Sequence, residues 1–555
     1  MPNIKTPNTL WSNFDLSLDT EAEKQFESVY SGVKIERVVF SGRDTGSGRV
    51  RIAAAFASSF KAPSPETVII LPDSDDTIDF DTLKFFVKQG YSALMVDYRG
   101  EWEGCDFFTK YPENIAYANV SKCGRAKDFV DDSADKTSWY EWVAVGLYAR
   151  KYVEERTKSD KIAVVGIRDG GEIAWKLGFA GQFSCIVPAG AAGWKAYDGI
   201  SKYMPEEPKL DEERYRFIAG IDSQAYAPAV RCPVLMLCPA TDGRFDYDRA
   251  YDTFSRINPD FIKGSAIAYT INCNGGIDSD GVKDMFLFFD KYLKNRQVFI
   301  PRPADVVVEV DENSNLVAKI IPDTQGVSEK SELYLAEDCT EPSLRSWERC
   351  PTKSENEFFV NIFEKTATIF LLCRVQYANG FSVWSKIYVK KISGKFRNMR
   401  VKCRVLYSDK NDSDGFFAEN TQDYAIGGMF FADDAVMPRI VAKGKSGAKG
   451  LHSECGLSTF KNNCQRYAPN SANVLSLDLY TDKDDTVTIT FADAASQTEK
   501  YACAVSVVGG VWQSFVLEAK NFKSANGTSL ADFTGEFKMT LTCRSEFALN
   551  NVMWL

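Results

Sequence analysis

Residues 161–171 have the types and spacing of a turn that holds one side chain out for chemistry. The apolar run 162–165 predicts a buried strand, and the residues after Gly171 predict a helix. Gly166 and Gly170 lie two residues on either side of Arg168, as expected where backbones come close together. Because an arginine stays protonated in proteins, it cannot act as a nucleophile. We therefore predict that Arg168 pairs with a negative charge at this turn and does not take part in covalent catalysis.

The glycine spacing resembles the nucleophile elbow of the α/β-hydrolases, in which a serine stands between the two glycines. Residues 72–75 (Pro-Asp-Ser-Asp) come directly after the strand that precedes the oxyanion loop in that superfamily. Residues 97–101 (Asp-Tyr-Arg-Gly-Glu) resemble a segment of acetyl xylan esterase and dienelactone-hydrolase-like members. Asp242 falls at the position of the catalytic acid. The resemblance implies a catalytic histidine in the loop 272–278, but that loop contains none.

The chain has one histidine, His452, which lies outside this order of segments. We predict a packing or surface residue there, with donation across domains as the alternative. Ester hydrolysis at neutral pH needs a base that titrates near pH 7 and passes a proton twice. Two of the three triad members are therefore missing, and loss of one alone slows such enzymes by orders of magnitude. The fold is implied by the resemblance, whereas the family's reaction does not transfer.

Asp169 adjoins the elbow position and offers an alternative nucleophile, because some members of the superfamily use an aspartate. That register would place Ile167 where the turn needs a small residue, and the covalent ester would still need a base. A buried arginine, in contrast, demands carboxylate partners. We therefore predict that an ion pair replaces the triad, with Asp242 and also Asp169 balancing Arg168.

Other side chains near the implied pocket could bind a ligand. Arg99, Glu101 and Trp102 would lie at its mouth and contact a sugar, with wall packing as the alternative. The acidic run 73–81 has oxygen ligands that suit calcium but lacks regular loop spacing. We interpret that run as a solvated loop that caps the next helix, and we predict no metal site and no cofactor.

The elements that must position these residues alternate between strand and helix over 33–293, which predicts a doubly wound α/β sheet. Residues 138–156 predict a long amphipathic helix in this part. We expect a multidomain α/β + β chain with an α/β-hydrolase-like domain over 1–300, including an N-terminal β extension. Short strand patterns then predict an immunoglobulin-like β-sandwich over 301–393 and a second β-sandwich or jelly roll over 394–555.

The last block resembles the galactose-binding-like jelly rolls that serve as carbohydrate-binding modules. The resemblance lies in residues 475–491 and in a Gly-x-Trp strand that ends at Trp512, which we predict to be in the core. Modules of this kind often hold a structural calcium, but no ligands can be assigned here. Four aromatic residues in less regular stretches are candidates for stacking on a sugar face, with packing as the alternative: Tyr424, Phe430, Phe431 and Tyr467.

The composition limits the function classes. The chain has 555 residues, 45% hydrophobic and 26% charged, so several packed cores are expected. A net charge of −10 without a basic stripe disfavours nucleic acid, and no apolar run is long enough for a membrane span. Fourteen cysteines without Cys-x-x-Cys pairs, and no secretion signal at the start, favour a cytoplasmic protein, with an extracellular one as the alternative.

These observations favour a catalytically degenerate α/β-hydrolase-like protein, a pseudoenzyme, that binds carbohydrate or acts as a scaffold. One alternative is an active esterase on acylated carbohydrates with an unorthodox site. Another is a structural or assembly protein. Carbohydrate is the expected partner, and the sequence is compatible with a homo-oligomer.

Overall fold

The computed structural model describes residues 3–197, 199–203, 209–410, 413–419, 425–426, 429–431, 436–494 and 499–555. The first part of the chain contains α1 (Pro7–Trp11), β1 (Glu23–Tyr30), β2 (Val33–Asp44), β3 (Arg49–Ser59), β4 (Thr67–Leu71), α2 (Phe80–Lys88), β5 (Ser92–Val96), α3 (Ser138–Thr157), β6 (Ile162–Ile167), α4 (Asp169–Ala180), β7 (Cys185–Ala189), α5 (Glu212–Gly220), α6 (Ser223–Tyr226), β8 (Leu235–Pro239), α7 (Ala250–Phe254), α8 (Pro259–Ile262), β9 (Ala266–Thr270), β10 (Gly276–Ile277) and α9 (Ser279–Tyr292). None of these described helices is both long enough and apolar enough to cross a membrane.

Nine strands of this part form one mixed sheet in the order β1-β2-β3-β5-β4-β6-β7-β8-β9. The strands from β1 to β5 along this order pair antiparallel, and the strands from β5 to β9 pair parallel. β4, β5 and β6 are buried along their whole length, because strands inside a parallel sheet are covered on both faces. The predicted alternation of strands and helices is confirmed over this part.

Helix α3 differs from the predicted amphipathic helix because both of its faces are covered. On the sheet side, the ring of Tyr152 stacks on Phe40 of β2 with centroids 4.7 Å apart. On the other side, Trp11 of α1 stacks on Tyr140, also at 4.7 Å. The N-terminal segment thus buries a face that the helical period of α3 by itself would leave to solvent.

The middle block consists of β11 (Asp305–Val310), β12 (Leu316–Ile321), β13 (Ser328–Glu337), β14 (Glu348–Arg349), β15 (Thr352–Ser354), β16 (Glu357–Phe359), β17 (Thr368–Tyr377), β18 (Ser382–Trp384) and β19 (Tyr388–Lys391). They form two antiparallel sheets, β11-β12-β16-β15 and β14-β13-β17-β18, with β19 paired to β17. The short strand patterns predicted over 301–393 are confirmed as strands. The core of this block is continuous with that of the first part: the ring of Trp384 meets Tyr269 of β9 at 6.2 Å.

The C-terminal block consists of β20 (Val405–Tyr407), β21 (Phe416–Ala418), β22 (Ala425–Ile426), β23 (Met429–Phe431), β24 (Arg439–Lys443), β25 (Ala448–His452), β26 (Leu457–Thr459), β27 (Leu475–Thr481), β28 (Asp485–Asp493), β29 (Lys500–Val507), β30 (Gln513–Leu517), β31 (Phe537–Thr542) and β32 (Phe547–Trp554). One antiparallel sheet has the order β24-β25-β32-β27-β30, with β20 on β32, and a second has the order β21-β26-β31-β28-β29. Residues of both sheets, such as Leu477 and Ile489, share one core.

Arg345 fixes the middle block to the first part through a fully buried ion pair. Its Nη1 and Nη2 lie 2.6 and 2.8 Å from the two carboxylate oxygens of Asp248, and neither side chain is exposed to solvent. The guanidinium also lies over the ring of Phe370, 3.9 Å from its centroid. The two parallel hydrogen bonds fix the orientation of the two parts at this point, and the ring contact holds the guanidinium within the middle block.

We expect Arg345→Ala to lower the free energy of unfolding by about 3–5 kcal/mol, because Asp248 would stay buried without a cation. Urea denaturation followed by tryptophan fluorescence measures the change. Arg296→Ala is the matched control, since Arg296 is 62% exposed and pairs with Asp290 at the surface, so its loss should change stability little. An effect of Arg345→Ala as small as that of the control would contradict this account.

Candidate functional site

The turn between β6 and α4 has the predicted strand–turn–helix form, and Arg168 is the residue at its tip. Arg168 has φ 48° and ψ −107°, a strained conformation for a side chain with a Cβ. A Cβ on Gly166 would lie 2.0 Å from the carbonyl oxygen of Gly170, and one on Gly170 would lie 2.2 Å from that of Leu71. The two glycines are therefore required, as the sequence predicted, and the strained position is occupied by a cation.

The guanidinium of Arg168 is bound by two buried carboxylates. Its Nε lies 2.8 Å from Asp242 Oδ2, and its Nη1 lies 3.3 Å from Asp73 Oδ2. Its Nη2 also donates to the carbonyl oxygen of Gly275 at 3.4 Å. Burial alone would lower the pKa of Arg168, but the charges of Asp242 and Asp73 outweigh it and raise that pKa. The predicted pair with Asp242 is present. Through Asp242, Asp73 and Gly275, Arg168 contacts three other loops at the turn.

Asp169 has different partners from those predicted, because Asp73 takes its place as the second carboxylate of Arg168. The carboxylate of Asp169 lies 2.9 Å from Lys195 Nζ and 2.6 Å from Lys127 Nζ. Burial raises the pKa of Asp169, but the two ammonium charges outweigh it and hold that pKa well below its ordinary value. At neutral pH, Asp169 is thus an ionised carboxylate saturated with donors.

Ser74, Lys127 and Lys195 were missed by sequence reasoning because only the folded chain brings them together. The Ser74 hydroxyl donates to Asp169 Oδ2 at 2.6 Å and accepts from Lys127 Nζ at 3.0 Å. A serine beside a lysine can act as a nucleophile when the lysine takes its proton. Here Lys127 is ion-paired with Asp169 and Ser74 is fully buried, so the hydroxyl serves as a link in the network.

The backbone amide of Ser74, in the loop predicted to correspond to the oxyanion loop, already has a hydrogen-bond acceptor within the protein. The amide N–H of Ser74 donates to Asp73 Oδ1 at 2.7 Å. In α/β-hydrolases an amide of this loop stabilises the oxyanion. Because Asp73 is buried, its pKa is raised despite the neighbouring Arg244. The Ser74 amide is therefore already bound by a carboxylate of its own loop.

The loop implied to carry the histidine is instead a docking edge for the C-terminal block. Asn274 N donates to the carbonyl oxygen of Ala418, and Ala418 N donates to that of Asn272, both at 3.0 Å. β10 pairs in parallel with β23, with Gly276 opposite Phe430 and Ile277 opposite Phe431. These backbone bonds join the first part to the last across the loop 272–278.

A cavity of about 430 Å³ opens beside Arg168, at the carboxyl ends of β6, β7 and β8. Ligands of open α/β sheets bind at this edge of the sheet. Residues 341–343 of the middle block close one side. Among the described lining residues, the basic ones are Lys127, Arg168, Lys195 and Arg244, the acidic ones are Asp128, Asp169, Glu172, Asp246 and Glu341, and the aromatic ones are Trp194, Tyr197 and Phe245.

Arg99, Glu101 and Trp102 are not among the described residues that line this cavity. Arg99 is buried, lies 3.2 Å from Asp97 through Nε, and stacks over Trp102 at 4.5 Å. Asp97 also accepts from the backbone N–H of Thr109 at 2.7 Å. The alternative of wall packing therefore fits Arg99 and Trp102, whereas Glu101 is exposed and pairs with Lys122 at 3.2 Å.

Of the four aromatic candidates in the C-terminal block, the structure describes the side chain of Tyr467. Tyr467 is 4% exposed, so the alternative of packing fits it. Phe430 and Phe431 belong to β23 by their backbone, and Tyr424 lies outside the described residues. Trp512 is half-buried over Gly450, where an added Cβ would meet the indole at 2.6 Å.

Two further predictions concern the acidic run and the histidine. Asp79 caps α2 by accepting from Thr82 N at 2.7 Å, as predicted, whereas Asp73 of the same run is buried and not solvated. His452 is buried at the end of β25, and its Nδ1 lies 2.8 Å from the carbonyl oxygen of Phe547. The predicted packing role thus fits His452, which is not among the described residues lining the cavity.

The chain matches no protein-family model and no curated protein. Among solved structures, it is similar to an acetyl xylan esterase from Paenibacillus sp. R4, with 15% identity over 50% of this chain and 90% of that one and a TM-score of 0.38. It is also similar to acetyl xylan esterase 1 from Thermoanaerobacterium sp. JW/SL YS485, with 16% identity over 52% and 95% of the two chains and a TM-score of 0.38. A cold-adapted esterase from an Arctic intertidal metagenomic library matches with 14% identity over 44% and 88%, at a TM-score of 0.29. The chain is a mixed α/β sheet domain that resembles hydrolase folds, followed by several antiparallel β-sheets.

We expect Arg168→Met to lower the free energy of unfolding at pH 7 by about 3 kcal/mol, because two buried carboxylates lose a shared cation. The pKa of Asp73 is already raised by burial and should rise further without Arg168. A raised pKa means that the folded state binds the proton more tightly, so the deficit should shrink as pH falls from about 7 to about 5. Thermal and urea denaturation at both pH values measure this.

Arg125→Met is the matched control, because Arg125 also contacts two carboxylates, Asp131 and Glu213, but is 55% exposed. Its loss should have little effect at either pH. A deficit of Arg168→Met that grows on acidification would show that Asp73 is not the group left unpaired.

Proposed function

We propose that this protein is a catalytically degenerate α/β-hydrolase-like protein that binds a carbohydrate in the cavity beside Arg168. The observation that carries the proposal is the guanidinium at the tip of the elbow, fixed by Asp242 and Asp73. Ester hydrolysis at this turn needs a nucleophile, a base that titrates near neutral pH and an open oxyanion donor. The turn offers a permanent cation, the chain has no histidine other than His452, and the Ser74 amide is bound.

The lining of the cavity suits a neutral ligand with many hydroxyl groups. Lys127 and Lys195 share Asp169, and Arg168 shares Asp73 with Arg244, so the donors carry compensated charge. Paired charges offer hydrogen bonds to hydroxyls but little attraction for a free anion. The half-buried rings of Trp194 and Tyr197 offer apolar faces for the C–H groups of a sugar.

The arrangement of the other two blocks supports a modular protein. Two antiparallel sheets in each block fit an immunoglobulin-like β-sandwich over 301–393 and a galactose-binding-like jelly roll over 394–555. Under this proposal, residues 1–300 bind the ligand and the two blocks extend or orient that part as a scaffold. A cytoplasmic location and a homo-oligomeric state belong to the same proposal.

We expect the wild-type chain to hydrolyse p-nitrophenyl acetate no faster than buffer, because the elbow lacks both nucleophile and base. Arg168→Ser should stay inactive, since a serine restored there would still have no histidine. Turnover is measured by nitrophenolate absorbance. Wild-type turnover that disappears in Asp169→Asn or Ser74→Ala would overturn the proposed degeneracy and identify the Ser74–Lys127–Asp169 network as an unorthodox active site.

We expect retardation of the wild-type chain in affinity gels that contain xylan, with and without acetyl groups. Tyr197→Ala should weaken binding about tenfold, since an aromatic contact of this kind contributes about 1–1.5 kcal/mol. Tyr215→Ala is the matched control, because Tyr215 is 54% exposed and is not among the described lining residues. Absence of retardation by xylan and by other polysaccharides would favour a structural or assembly protein.

A further inference from the structure

The C-terminal block contains a cluster of metal-ligating side chains apart from the cavity. One ring nitrogen of His452 and one carboxylate oxygen each of Glu454 and Glu546 all lie within 4.8 Å of one another. His452 is 1% exposed, whereas both glutamates reach solvent. The cluster thus has a buried nitrogen at its base and two oxygen ligands at its rim.

The pairing of two strands brings these three residues together. His452 ends β25 and Glu454 follows in the next turn, while Glu546 directly precedes β32. β25 and β32 are antiparallel neighbours, with Leu451 opposite Leu549. Because Glu546 is distant in sequence from His452 and Glu454, the three residues form no sequence motif with a characteristic spacing. The sequence analysis therefore predicted no metal site.

The hydrogen bond at Nδ1 decides which nitrogen of His452 can bind a metal. A carbonyl oxygen only accepts, so the ring nitrogen 2.8 Å from Phe547 O carries the proton. In a neutral imidazole this leaves a lone pair on Nε2. Among the described atoms, Nε2 is buried and has no hydrogen-bond partner. Metal-ligating histidines commonly donate their other ring nitrogen to a backbone carbonyl, as His452 does here.

The surrounding charges are compatible with an added cation. Lys443 Nζ lies 2.8 Å from Asp482 and 3.3 Å from Glu546, so it keeps its closer partner if Glu546 turns to a metal. Arg439 Nη2 contacts Glu454 at 3.7 Å, which is a loose pair. Both glutamates therefore already contact a cation and reach solvent, so each carboxylate can turn toward a metal without leaving a buried charge.

We propose that His452 Nε2, Glu454 and Glu546 bind a divalent transition-metal ion, with Zn²⁺ as the representative of the class. One imidazole and two carboxylates make a three-ligand site whose fourth position holds water. Ca²⁺ and Mg²⁺ prefer oxygen ligands only, so the imidazole selects against them. Tetrahedral Zn²⁺ with bonds of about 2.0 Å requires ligand atoms about 3.3 Å apart, and the exposed glutamates can close to that spacing.

The test is a titration of the full chain, stripped with a chelator and then freed of it, with Zn²⁺ alone by isothermal calorimetry. We expect one Zn²⁺ per chain and a loss of at least tenfold in affinity in Glu546→Gln and in Glu454→Gln. Glu518→Gln is the matched control, because Glu518 lies in the same block and its side chain is 55% exposed, against 53% for Glu546. It should bind as the wild type does.

Cysteines are the competing ligands, since each of the fourteen described thiols is buried or half-buried and could take Zn²⁺ on local opening. Co²⁺ spectra separate the two cases, because thiolate ligation gives an intense charge-transfer band that nitrogen and oxygen ligands lack. We expect no such band. His452→Gln should abolish binding, and circular dichroism checks that this buried variant is folded. The proposal is overturned by absent stoichiometric binding, by unchanged affinity in both glutamate variants, by the thiolate band, or by equally tight binding of Ca²⁺.

Discussion

The ion pairs of Arg168 with Asp73 and Asp242 are the constraint on which the arrangement around the elbow depends. A cation this buried is stable only with carboxylate partners, and each partner comes from a different loop. The same guanidinium reaches the carbonyl of Gly275 in the loop after β9. One side chain at a strained turn therefore ties together the ends of β4, β6, β8 and β9, beside the cavity at this edge of the sheet.

The polar groups next to Arg168 also bond to other groups of the protein. Asp169 is saturated by Lys127, Lys195 and Ser74, and the Ser74 amide is bound by Asp73. In a catalytic site such donors and bases stay open toward the substrate, because they must form new bonds as the reaction proceeds. Polar groups that already bond to one another can still line a cavity and offer hydrogen bonds to a ligand. They have no free donor or base for a reaction, and this is the physical basis for proposing binding without turnover.

Each of the two β blocks contacts the first part at its own place. Arg345 of the middle block forms a fully buried, bidentate ion pair with Asp248 of the first part. Residues 341–343, which lie just before Arg345, line the cavity. The C-terminal block pairs its backbone with the loop 272–278, so this loop is restrained at its backbone.

The sequence by itself determined the elements with strong local signals. The apolar run 162–165 predicted the strand β6, because strands buried on both faces need continuous apolar side chains. The paired glycines predicted the turn, and the residue types alone excluded a serine–histidine triad at that turn. Only the tertiary structure decided which carboxylate joins Arg168, that α3 is covered on both faces, and that His452 meets Glu454 and Glu546. Periodicity reports what a segment buries, whereas long-range partners depend on how distant segments pack, and a single sequence holds no local signal for that choice.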